Sequence, residues 1–364
     1  MNFRVPFLDL SISDNYKRKD LLAAIEKVML HGKIILGPEV EELENIMSKL
    51  CNRKYGIGLG SGSDSLFLSL LALGIGQGDE VITTPMTFVA TANAIVLSGA
   101  KPVFADVTSD LTIDPDSVEK LISKNTKAII PVHFSSNMAD MNKIVKIANN
   151  YNLKVIEDAA QAFGSSFYEQ PAGAFGDLSC LSMNSMKVLA SLGEAGMVLT
   201  DDIDKKNLLM SLRYNGLHNK INCINASING RIETIQAAII LEKLKYYRES
   251  IEKRRSIAKI YNQYLSNYVQ IPLEKKGQYS NYYTYSIITK KRDDLFEFLR
   301  ENGIETKKLH PLVTDMSAYR IYNDTHLIKA KKFQKMIINL PCNNTISYEQ
   351  VEYVIKIIRN FFDR

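Results

Sequence analysis

The sequence is poor in features that would place the chain outside the cell or in a membrane. It has only four cysteines, Cys51, Cys180, Cys223 and Cys342. They are far apart and form no C-x-x-C pair, which argues against a zinc site and a disulfide framework and suits a reducing compartment. No run approaches the ~18 apolar residues of a membrane span, and residues 1–20 lack the apolar core of a signal peptide. We therefore expect a cytoplasmic protein without a membrane partner.

Charge of one sign is not concentrated anywhere in the chain. The 45 basic and 40 acidic residues give a net charge of +5, and both signs are interleaved along all 364 residues. Because no basic block or basic helix stands out, a nucleic-acid partner is not expected, whereas a small phosphorylated ligand would suit a slightly basic chain. A hydrophobic content of 46% and a charged content of 23% are ordinary for a folded protein with a sizeable core.

The first two thirds of the chain alternate between strand and helix patterns. Two amphipathic helices come first, in KDLLAAIEKVMLHGK, which ends at Gly32, and in PEVEELENIMSKLCNRK. Strands are then predicted in DEVITT, KPVFADV, TKAIIPVHF, LKVIEDAA, DLSCLSM and AGMVLTDD, with helices in VATANAIVLSGA, PDSVEKLIS and MNKIVKIANNYN. This alternation predicts a mostly parallel sheet with helices on both faces. In such sheets, ligands bind beyond the carboxyl ends of the strands.

The pattern changes after about residue 240. The segment AAIILEKLKYYRESIEKRRSIAKIYNQYL is a long, charged helical stretch that could be bent and could bridge two lobes. A strand in YYTYSIIT, a helix in RDDLFEFLRENG and a terminal helix in SYEQVEYVIKIIRNFF follow it. We interpret this part as a smaller α/β lobe.

The segment GLGSGSDSLFLSLLALG combines small residues with a strongly apolar helix. Gly58, Gly60 and Gly62, with Ser61 and Ser63, come directly before that helix. A loop of small residues that enters a helix N-terminus presents free backbone N–H groups and a partial positive charge, which together bind phosphate. The alternative is a tight turn in which Ser63 is only the N-cap residue.

Two side chains elsewhere could carry chemistry. Asp158 ends a buried strand, where an ionised carboxylate could hold a cationic heteroaromatic nitrogen, or could instead be a helix cap or half of an ion pair. Lys187 is the single base in LSMNSMKVLASLGEAG. Apolar neighbours favour the neutral, nucleophilic amine, which forms Schiff bases with aldehydes, although a lysine can also extend past such neighbours into solvent. A phosphate cradle, an acid for a pyridinium nitrogen and an amine for an aldehyde are the three groups that bind pyridoxal phosphate (PLP).

The sequence resembles the DegT/DnrJ/EryC1/StrS family of sugar aminotransferases over nearly its whole length. The resemblance rests on an ordered set of segments: VPFLDL, GKIILGPEVEELE, GSGSDSLFLSLLALGIGQGDEVITTPMTFVATANAIVLSGAKPVFADV, TKAIIPVHF, IEDAAQAFG, SMNSMK, GEAG, LRYNG, NGRIETIQAAI and LPCNNTISYEQV. It implies an α/β fold of the aspartate aminotransferase-like, fold type I class of PLP-dependent transferases. We expect a large PLP-binding domain over residues 1–245, with the N-terminal helices and a mixed, mostly parallel sheet, and a small C-terminal α/β domain over residues 246–364.

The family pattern also implies a role for each matching residue. Lys187 would bind the aldehyde of pyridoxal 5'-phosphate and move the proton, and Asp158 would face the pyridine nitrogen. The other implied cofactor contacts are Gln161 to the ring oxygen, the backbone N–H groups of Ser63 and Asp64 and the hydroxyl of Ser182 to the phosphate, and Phe88 stacked on the ring. Asn229 would reach the phosphate from the partner subunit with Arg231 close by, which implies a homodimer with shared sites. His310 would contact the sugar.

The chain departs from the family pattern mainly where the substrate should lie. Val188 follows the lysine where Asn is common, and Phe163 replaces a His. The other departures are Ala195 in GEAG, Leu309 in the triplet Leu309-His310-Pro311, and the loop Ser135, Ser136, Asn137 and Met138. None of them is one of the three cofactor-binding groups, so they leave the identity of the substrate open rather than the activity.

The resemblance implies a PLP-dependent transfer of an amino group from an amino acid, glutamate or glutamine, to a keto-sugar. A nucleotide-linked 3-keto- or 4-keto-6-deoxyhexose is the expected acceptor, and a keto-sugar phosphate is the alternative. A PLP-dependent sugar dehydratase is disfavoured because relatives with that activity replace the lysine by histidine. A non-catalytic sugar sensor is disfavoured because all the cofactor-binding groups are present.

Overall fold

The computed structural model describes residues 3–135, 137–219, 221–322 and 326–364. The α-helices of these residues are α1 (Asn15–His31), α2 (Pro38–Leu50), α3 (Gly62–Ala72), α4 (Ala90–Leu97), α5 (Pro115–Leu121), α6 (Met141–Asn150), α7 (Ile203–Leu212), α8 (Thr234–Leu244), α9 (Tyr247–Leu265), α10 (Arg292–Glu301), α11 (Ile328–Gln334) and α12 (Tyr348–Phe362), with short 3-10 helices at Val313–Asp315 and Ser317–Tyr322. The strands are β1 (Tyr55–Leu59), β2 (Glu80–Thr83), β3 (Lys101–Phe104), β4 (Thr126–Ile129), β5 (Lys154–Asp158), β6 (Ser166–Phe167), β7 (Gln170–Pro171), β8 (Leu178–Ser182), β9 (Gly196–Thr200), β10 (Leu217–His218), β11 (Asn222–Cys223), β12 (Gln278–Tyr279), β13 (Tyr285–Ile288), β14 (Lys307–Lys308) and β15 (Ile337–Leu340).

A seven-stranded sheet forms the centre of the larger lobe, in the order β1-β9-β8-β5-β4-β2-β3. The strands β8, β5, β4, β2 and β3 run parallel to one another, whereas β9 is antiparallel to both β1 and β8. The predicted mostly parallel sheet is therefore confirmed, including the two strands that flank Lys187. A second sheet, β13-β15-β14, belongs to the smaller lobe.

The direction of β9 decides which loops meet at the edge of the sheet. Because β9 is antiparallel to both neighbours, its first residue, Gly196, pairs with the last residue of β1, Leu59, and with the last residue of β8, Ser182. The carboxyl end of β5, at Asp158, lies at the same edge, since β5 is parallel to β8. Four strand ends therefore meet where α3 begins.

Local signals account for several of the helix limits. The predicted stop of α1 is confirmed, since Gly32 follows it with φ at 69°, a left-handed conformation that glycine adopts without steric cost, and its N–H donates to the carbonyl of Val28. At the other end of the chain, α12 begins with a capping box in which Ser347 and Gln350 satisfy each other's backbone N–H groups.

The long charged segment after residue 240 is two helices. Tyr246 separates α8 from α9, with φ at −130° and ψ at 15°, outside the helical region. Buried residues of α8 such as Ile240 pack in the core that contains β8 and β9. Those of α9, such as Tyr261 and Leu265, pack with β13, β15 and α12. The break lies next to the boundary expected at residues 245 and 246, and that boundary stays a prediction.

Across the described ranges, no helix is both long enough and apolar enough to cross a membrane.

Candidate active site

The N-terminus of α3 lies at the edge where the four strand ends meet. Ser61 is its N-cap residue, and the Ser61 Oγ accepts a hydrogen bond of 3.0 Å from the N–H of Asp64. The alternative that Ser63 caps the helix is therefore wrong, because Ser63 already lies in the first turn. By helix geometry, the N–H groups of Gly62 and Ser63 have no intrahelical acceptor and face outward. The N–H of Asp64 already donates to the Ser61 Oγ, so it could also donate to a phosphate only through a bifurcated hydrogen bond.

Two glycines allow β8 and β9 to approach this helix terminus closely. A Cβ atom on Gly62 would lie 2.7 Å from the Cβ and 3.1 Å from the Oγ of Ser182. A Cβ atom on Gly196 would lie 2.2 Å from the carbonyl oxygen of Ser61. Only glycine fits at both positions, and the result is that the Ser182 hydroxyl lies beside the free N–H groups of α3. Small residues, a hydroxyl and the positive end of a helix suit a phosphate group.

Asp158 is a buried carboxylate at the end of β5. Its side chain is 4% exposed and accepts hydrogen bonds from the Thr91 hydroxyl at 2.9 Å and from the N–H of Ala160 at 3.2 Å. Burial raises the pKa of Asp158, and these two hydrogen bonds and the positive charge of Lys187 offset the rise only in part. Ionised Asp158 would therefore be stabilised by a cationic ligand group, such as a protonated pyridine nitrogen.

Lys187 lies in the turn that follows β8. Its N–H donates to the carbonyl of Asn184 at 2.9 Å, and its side chain is half-buried. The Nζ atom lies 4.6 Å from the centroid of the Tyr283 ring. Lys187 therefore does not simply extend into solvent, since its amine lies over an aromatic face.

The loop that departs from the family pattern contacts Gln161 and the smaller lobe. The N–H of Ser135 donates to the Gln161 Oε1 at 3.3 Å, and the Ser135 hydroxyl is hydrogen bonded to that of Ser286. Asn137 accepts a hydrogen bond of 3.1 Å from the Nε2 of Gln278. Met138 is fully buried, and Ser136 lies outside the described residues. With its Oε1 engaged, Gln161 has its NH₂ group left to donate to a ligand oxygen.

Phe88 and His310 come from different lobes, and their rings contact each other. Their ring centroids are 6.4 Å apart in an edge-to-face arrangement. Phe88 is 61% exposed, so much of its ring is available for stacking on a planar ligand. The sequence-predicted cofactor contact and the sequence-predicted substrate contact are thus neighbours, and their roles stay predictions.

Asn229 and Arg231 lie beside the phosphate cradle of their own protomer and are paired with each other. The Nε of Arg231 donates to the Asn229 Oδ1 at 2.8 Å, and its guanidinium lies 4.3 Å from the ring centroid of Tyr214. The N–H of Gly60 donates to the carbonyl of Gly230 at 2.8 Å. The Asn229 side chain is exposed on the protomer, and its contribution to a partner's site stays a prediction.

A buried acid that the sequence analysis did not single out, Glu157, lies directly next to Asp158. Glu157 is 0% exposed and accepts hydrogen bonds from the His133 Nε2 at 2.8 Å, the N–H of Gly173 at 2.9 Å, the N–H of Phe175 at 2.9 Å and the Ser179 hydroxyl at 2.8 Å. Burial raises the pKa of Glu157, but the hydrogen bonds from His133, Gly173 and Phe175 outweigh it, so the pKa is lowered. An acid inside an otherwise apolar strand was the available signal, because a buried charge needs partners.

The tautomer of His133 follows from its two contacts. Its Nδ1 accepts a hydrogen bond of 3.1 Å from the N–H of Ala139, so Nε2 carries the hydrogen that is donated to Glu157. The N–H of His133 also donates to the carbonyl of Asp158 at 3.1 Å. The pair therefore fixes the loop after β4 against the end of β5, where Asp158 lies.

Comparison with known proteins gives similar sequences over the whole chain. The sequence pattern of the DegT/DnrJ/EryC1/StrS aminotransferase family matches residues 15–359. A pleiotropic regulatory protein of Geobacillus stearothermophilus is 37% identical, over 98% of both chains. The UDP-2-acetamido-2-deoxy-3-oxo-D-glucuronate aminotransferase of Pseudomonas aeruginosa is 31% identical, over 98% of this chain and 100% of its own. The 3-oxo-glucose-6-phosphate:glutamate aminotransferase of Bacillus subtilis is 31% identical, over 97% of this chain and 82% of its own.

Solved structures with the same fold include proteins crystallised with the cofactor. DesV of S. venezuelae, in complex with a ketimine intermediate, superposes with a TM-score of 0.96 at 32% identity, over 99% of both chains. NtdA of Bacillus subtilis, with the cofactor PMP bound, superposes with a TM-score of 0.93 at 29% identity, over 100% of this chain and 86% of its own. The architecture expected for the larger lobe and the smaller α/β lobe is that of these proteins.

Proposed function

Because this chain belongs to the DegT/DnrJ/EryC1/StrS aminotransferase family and is a PLP-dependent aminotransferase, we propose that it transfers an amino group from glutamate to a keto-sugar carried on a nucleotide. One observation carries the proposal, which is that Lys187, Asp158 and the N-terminus of α3 meet at one edge of the sheet. An amine, a buried acid and a phosphate cradle are the groups that PLP needs, in addition to an exposed aromatic face such as that of Phe88.

The residues present fit the cofactor. The close approach of Ser182 to α3 requires glycine at position 62, which leaves the cradle narrow and polar. The Asp158 carboxylate is buried, and burial raises its pKa, so a positive ring nitrogen would relieve the cost of its ionisation. When bound, PLP supplies a conjugated ring that takes up the electron pair left by the loss of a proton.

The chain's own residues then have separate tasks. With the cofactor bound, the Lys187 amine would take the α-proton of the amino donor as a general base and would give it to the former aldehyde carbon as a general acid. Asp158 would keep the ring nitrogen protonated, Gln161 would donate to the ring oxygen, and the cradle of Gly62, Ser63 and Ser182 would orient the phosphate. In the second half of the reaction the same steps run backwards on the keto-sugar.

The acceptor is expected to carry phosphate. The backbone of Arg231 pairs with Leu59, just before the cradle, and a guanidinium binds phosphate through charge-assisted hydrogen bonds. His310 lies beside Phe88, and its imidazole can donate to or accept from a hydroxyl. The P. aeruginosa relative acts on a UDP-linked 3-oxo sugar, which favours a nucleotide-linked acceptor.

A keto-sugar phosphate is the second candidate. The B. subtilis relative is named for 3-oxo-glucose-6-phosphate and glutamate, and it is as similar to this chain as the UDP-sugar enzyme. Glutamate as the donor rests on the same relative. The G. stearothermophilus relative is described as regulatory, but the full set of cofactor-binding groups in this chain supports catalysis.

We also propose a cytoplasmic homodimer with shared sites. The support for sharing is the family pattern, which places Asn229 across the interface, together with the exposure of the Asn229 side chain, which makes it accessible to a partner subunit. The support for the cytoplasm is the spacing of the four cysteines.

The deciding experiment is a competition among acceptors, scored by kcat/KM. Nucleotide-linked 3-keto and 4-keto sugars, keto-sugar phosphates and free keto-sugars are compared on the wild-type enzyme and on Arg231→Gln. We expect a nucleotide-linked sugar to have the highest kcat/KM, and we expect Arg231→Gln to lower kcat/KM more for phosphorylated acceptors than for free ones. A free keto-sugar or an ordinary keto acid that outperforms every phosphorylated sugar would overturn the proposed acceptor.

A further inference from the structure

Tyr283 of the smaller lobe contacts the Lys187 amine. Buried polar side chains fix the backbone of the segment around Tyr283. The Nζ atom lies 4.6 Å from the ring centroid, within the distance at which an aromatic face attracts an ammonium group. Tyr283 is half-buried and lies just before β13. The contact therefore joins the amine that follows β8 to a residue about 100 positions further along the chain, which local sequence patterns do not reveal.

The residue before Tyr283 adopts a backbone conformation that is rare for a bulky side chain. Tyr282 has φ at 47°, in the left-handed region. Its ring is buried in the core of the smaller lobe, 6.3 Å from the ring of Tyr285, whereas the ring of Tyr283 faces Lys187. The left-handed turn lets these two neighbouring side chains point to different places.

Asn281 ties this turn to the loop that follows Asp158. Asn281 is fully buried, and its Nδ2 donates to the carbonyls of Gln161 and Phe163, both at 3.0 Å. Its Oδ1 accepts from the N–H of Tyr283 at 2.8 Å. Its own N–H donates to the Ser165 hydroxyl at 3.0 Å. The Asn281 side chain thus sets the position of Tyr283 relative to the loop that follows Asp158.

A buried arginine donates hydrogen bonds to the backbone of the same turn. Arg254 of α9 is 4% exposed, and its Nη1 donates to the carbonyls of Tyr282 at 3.3 Å, Tyr283 at 3.4 Å and Cys342 at 2.7 Å. Among the residues that the structure describes, no carboxylate pairs with it, and burial lowers its pKa. Burying a cation whose partners are backbone carbonyls costs folding free energy. This cost suggests that the conformation of the turn has a functional role.

We propose that Tyr283 is a positioning residue for the Lys187 amine, and this inference rests on the proposed transaminase function. With the cofactor bound, the amino donor would displace Lys187, and the freed amine would take up the donor's α-proton and so become an ammonium. It would then give this proton to the former aldehyde carbon and become neutral again. The negative face of the Tyr283 ring stabilises the ammonium as it forms and keeps Nζ within reach of the reacting carbon. The ring face performs this role, and the hydroxyl does not.

The test measures the donor half-reaction by stopped-flow absorbance on the holoenzyme, with glutamate carrying hydrogen or deuterium at the α-carbon. We expect Tyr283→Leu to slow the loss of the visible band by about 2- to 30-fold. We expect the deuterium isotope effect to rise, because proton transfer becomes more rate-limiting, and PLP affinity to stay unchanged. Tyr283→Phe should behave as wild type, since it keeps the ring face. Tyr348→Leu is the matched control, because Tyr348 carries Lys253 over its ring at 3.3 Å on α12.

A second series tests the ring face even if the leucine variant does not fold. Phenylalanines with increasing fluorination at position 283 weaken the negative face with little change of shape, so the rate should fall steadily with each fluorine. An unchanged rate along this series would overturn the proposal. So would a loss in Tyr283→Phe as large as that in Tyr283→Leu. Loss of the band with glutamate in wild type, in the same experiment, tests the transaminase function separately.

Discussion

Gly62→Ala tests the phosphate cradle with a single methyl group. The new Cβ would lie 2.7 Å from the Cβ of Ser182, and an ordinary carbon–carbon contact is ~3.5 Å. The start of α3 and the end of β8 must therefore move apart by about 0.8 Å. Overpacking of this size costs roughly 1–3 kcal/mol of folding free energy. Widening the cradle should also weaken a charge-assisted hydrogen bond to the phosphate, worth roughly 1.5–3 kcal/mol.

The assay is a titration of the apoprotein with PLP, followed by absorbance, together with thermal melting. We expect Gly62→Ala to bind PLP about 10- to 100-fold more weakly than wild type. Gly58→Ala is the control, because its Cβ would also be tight, at 3.0 Å from Ile232, but on β1 away from the helix terminus. It should lower the melting temperature without a comparable loss of PLP affinity. Wild-type PLP affinity in Gly62→Ala would refute the assignment of the α3 N-terminus as the cradle.

Three further substitutions test the other parts of the site. Lys187→Ala should fold and bind PLP without the visible absorbance band of a covalent link, and a variant that keeps both the band and turnover would exclude Lys187. Asp158→Asn should lose about 10- to 1000-fold in rate, because a carboxylate shifts the pKa of a nearby cation by roughly 1–3 units. Burial raises the pKa of Asp158, so the wild-type apoprotein loses stability as pH rises through that pKa. The melting temperature of apo Asp158→Asn, relative to that of the wild-type apoprotein, should therefore rise as pH increases above about 4, the ordinary pKa of an Asp. A difference between the two that does not change with pH would contradict this. Mixed dimers of Lys187→Ala and Asn229→Asp should regain activity if sites are shared, and demonstrably mixed but inactive dimers would count against sharing.

The fold could be predicted from the sequence because its local signals agree. Short apolar strands alternate with helices from β2 to β5, and the order of these elements is enough for a mostly parallel sheet. Two local details could not be read in advance. The segment GSGS offers two serines, Ser61 and Ser63, as caps, and only the register of α3 selects Ser61. A bend in the segment after residue 240 was expected, but its place at Tyr246 was not, because no Pro or Gly marks it. The break follows from the packing of α8 and α9 into different cores.

The site was predictable only in part, for a physical reason. Lys187 and Asp158 stand out because a charge among apolar residues is unusual in any sequence. Asn281 and Arg254 act through hydrogen bonds to carbonyls that are remote in sequence, as in the bond from Asn281 to Gln161. A backbone carbonyl carries no residue-specific signal, so tertiary contacts of this kind become visible only once the chain is folded.

The two half-reactions of the purified holoenzyme test the proposed sugar aminotransferase activity most directly. We predict that glutamate alone abolishes the visible absorbance band of the cofactor bound to Lys187, and that a nucleotide-linked keto-sugar added afterwards restores it with release of the amino sugar. If no amino donor changes the band, or if no keto-sugar restores it, the chain is not the sugar aminotransferase described above.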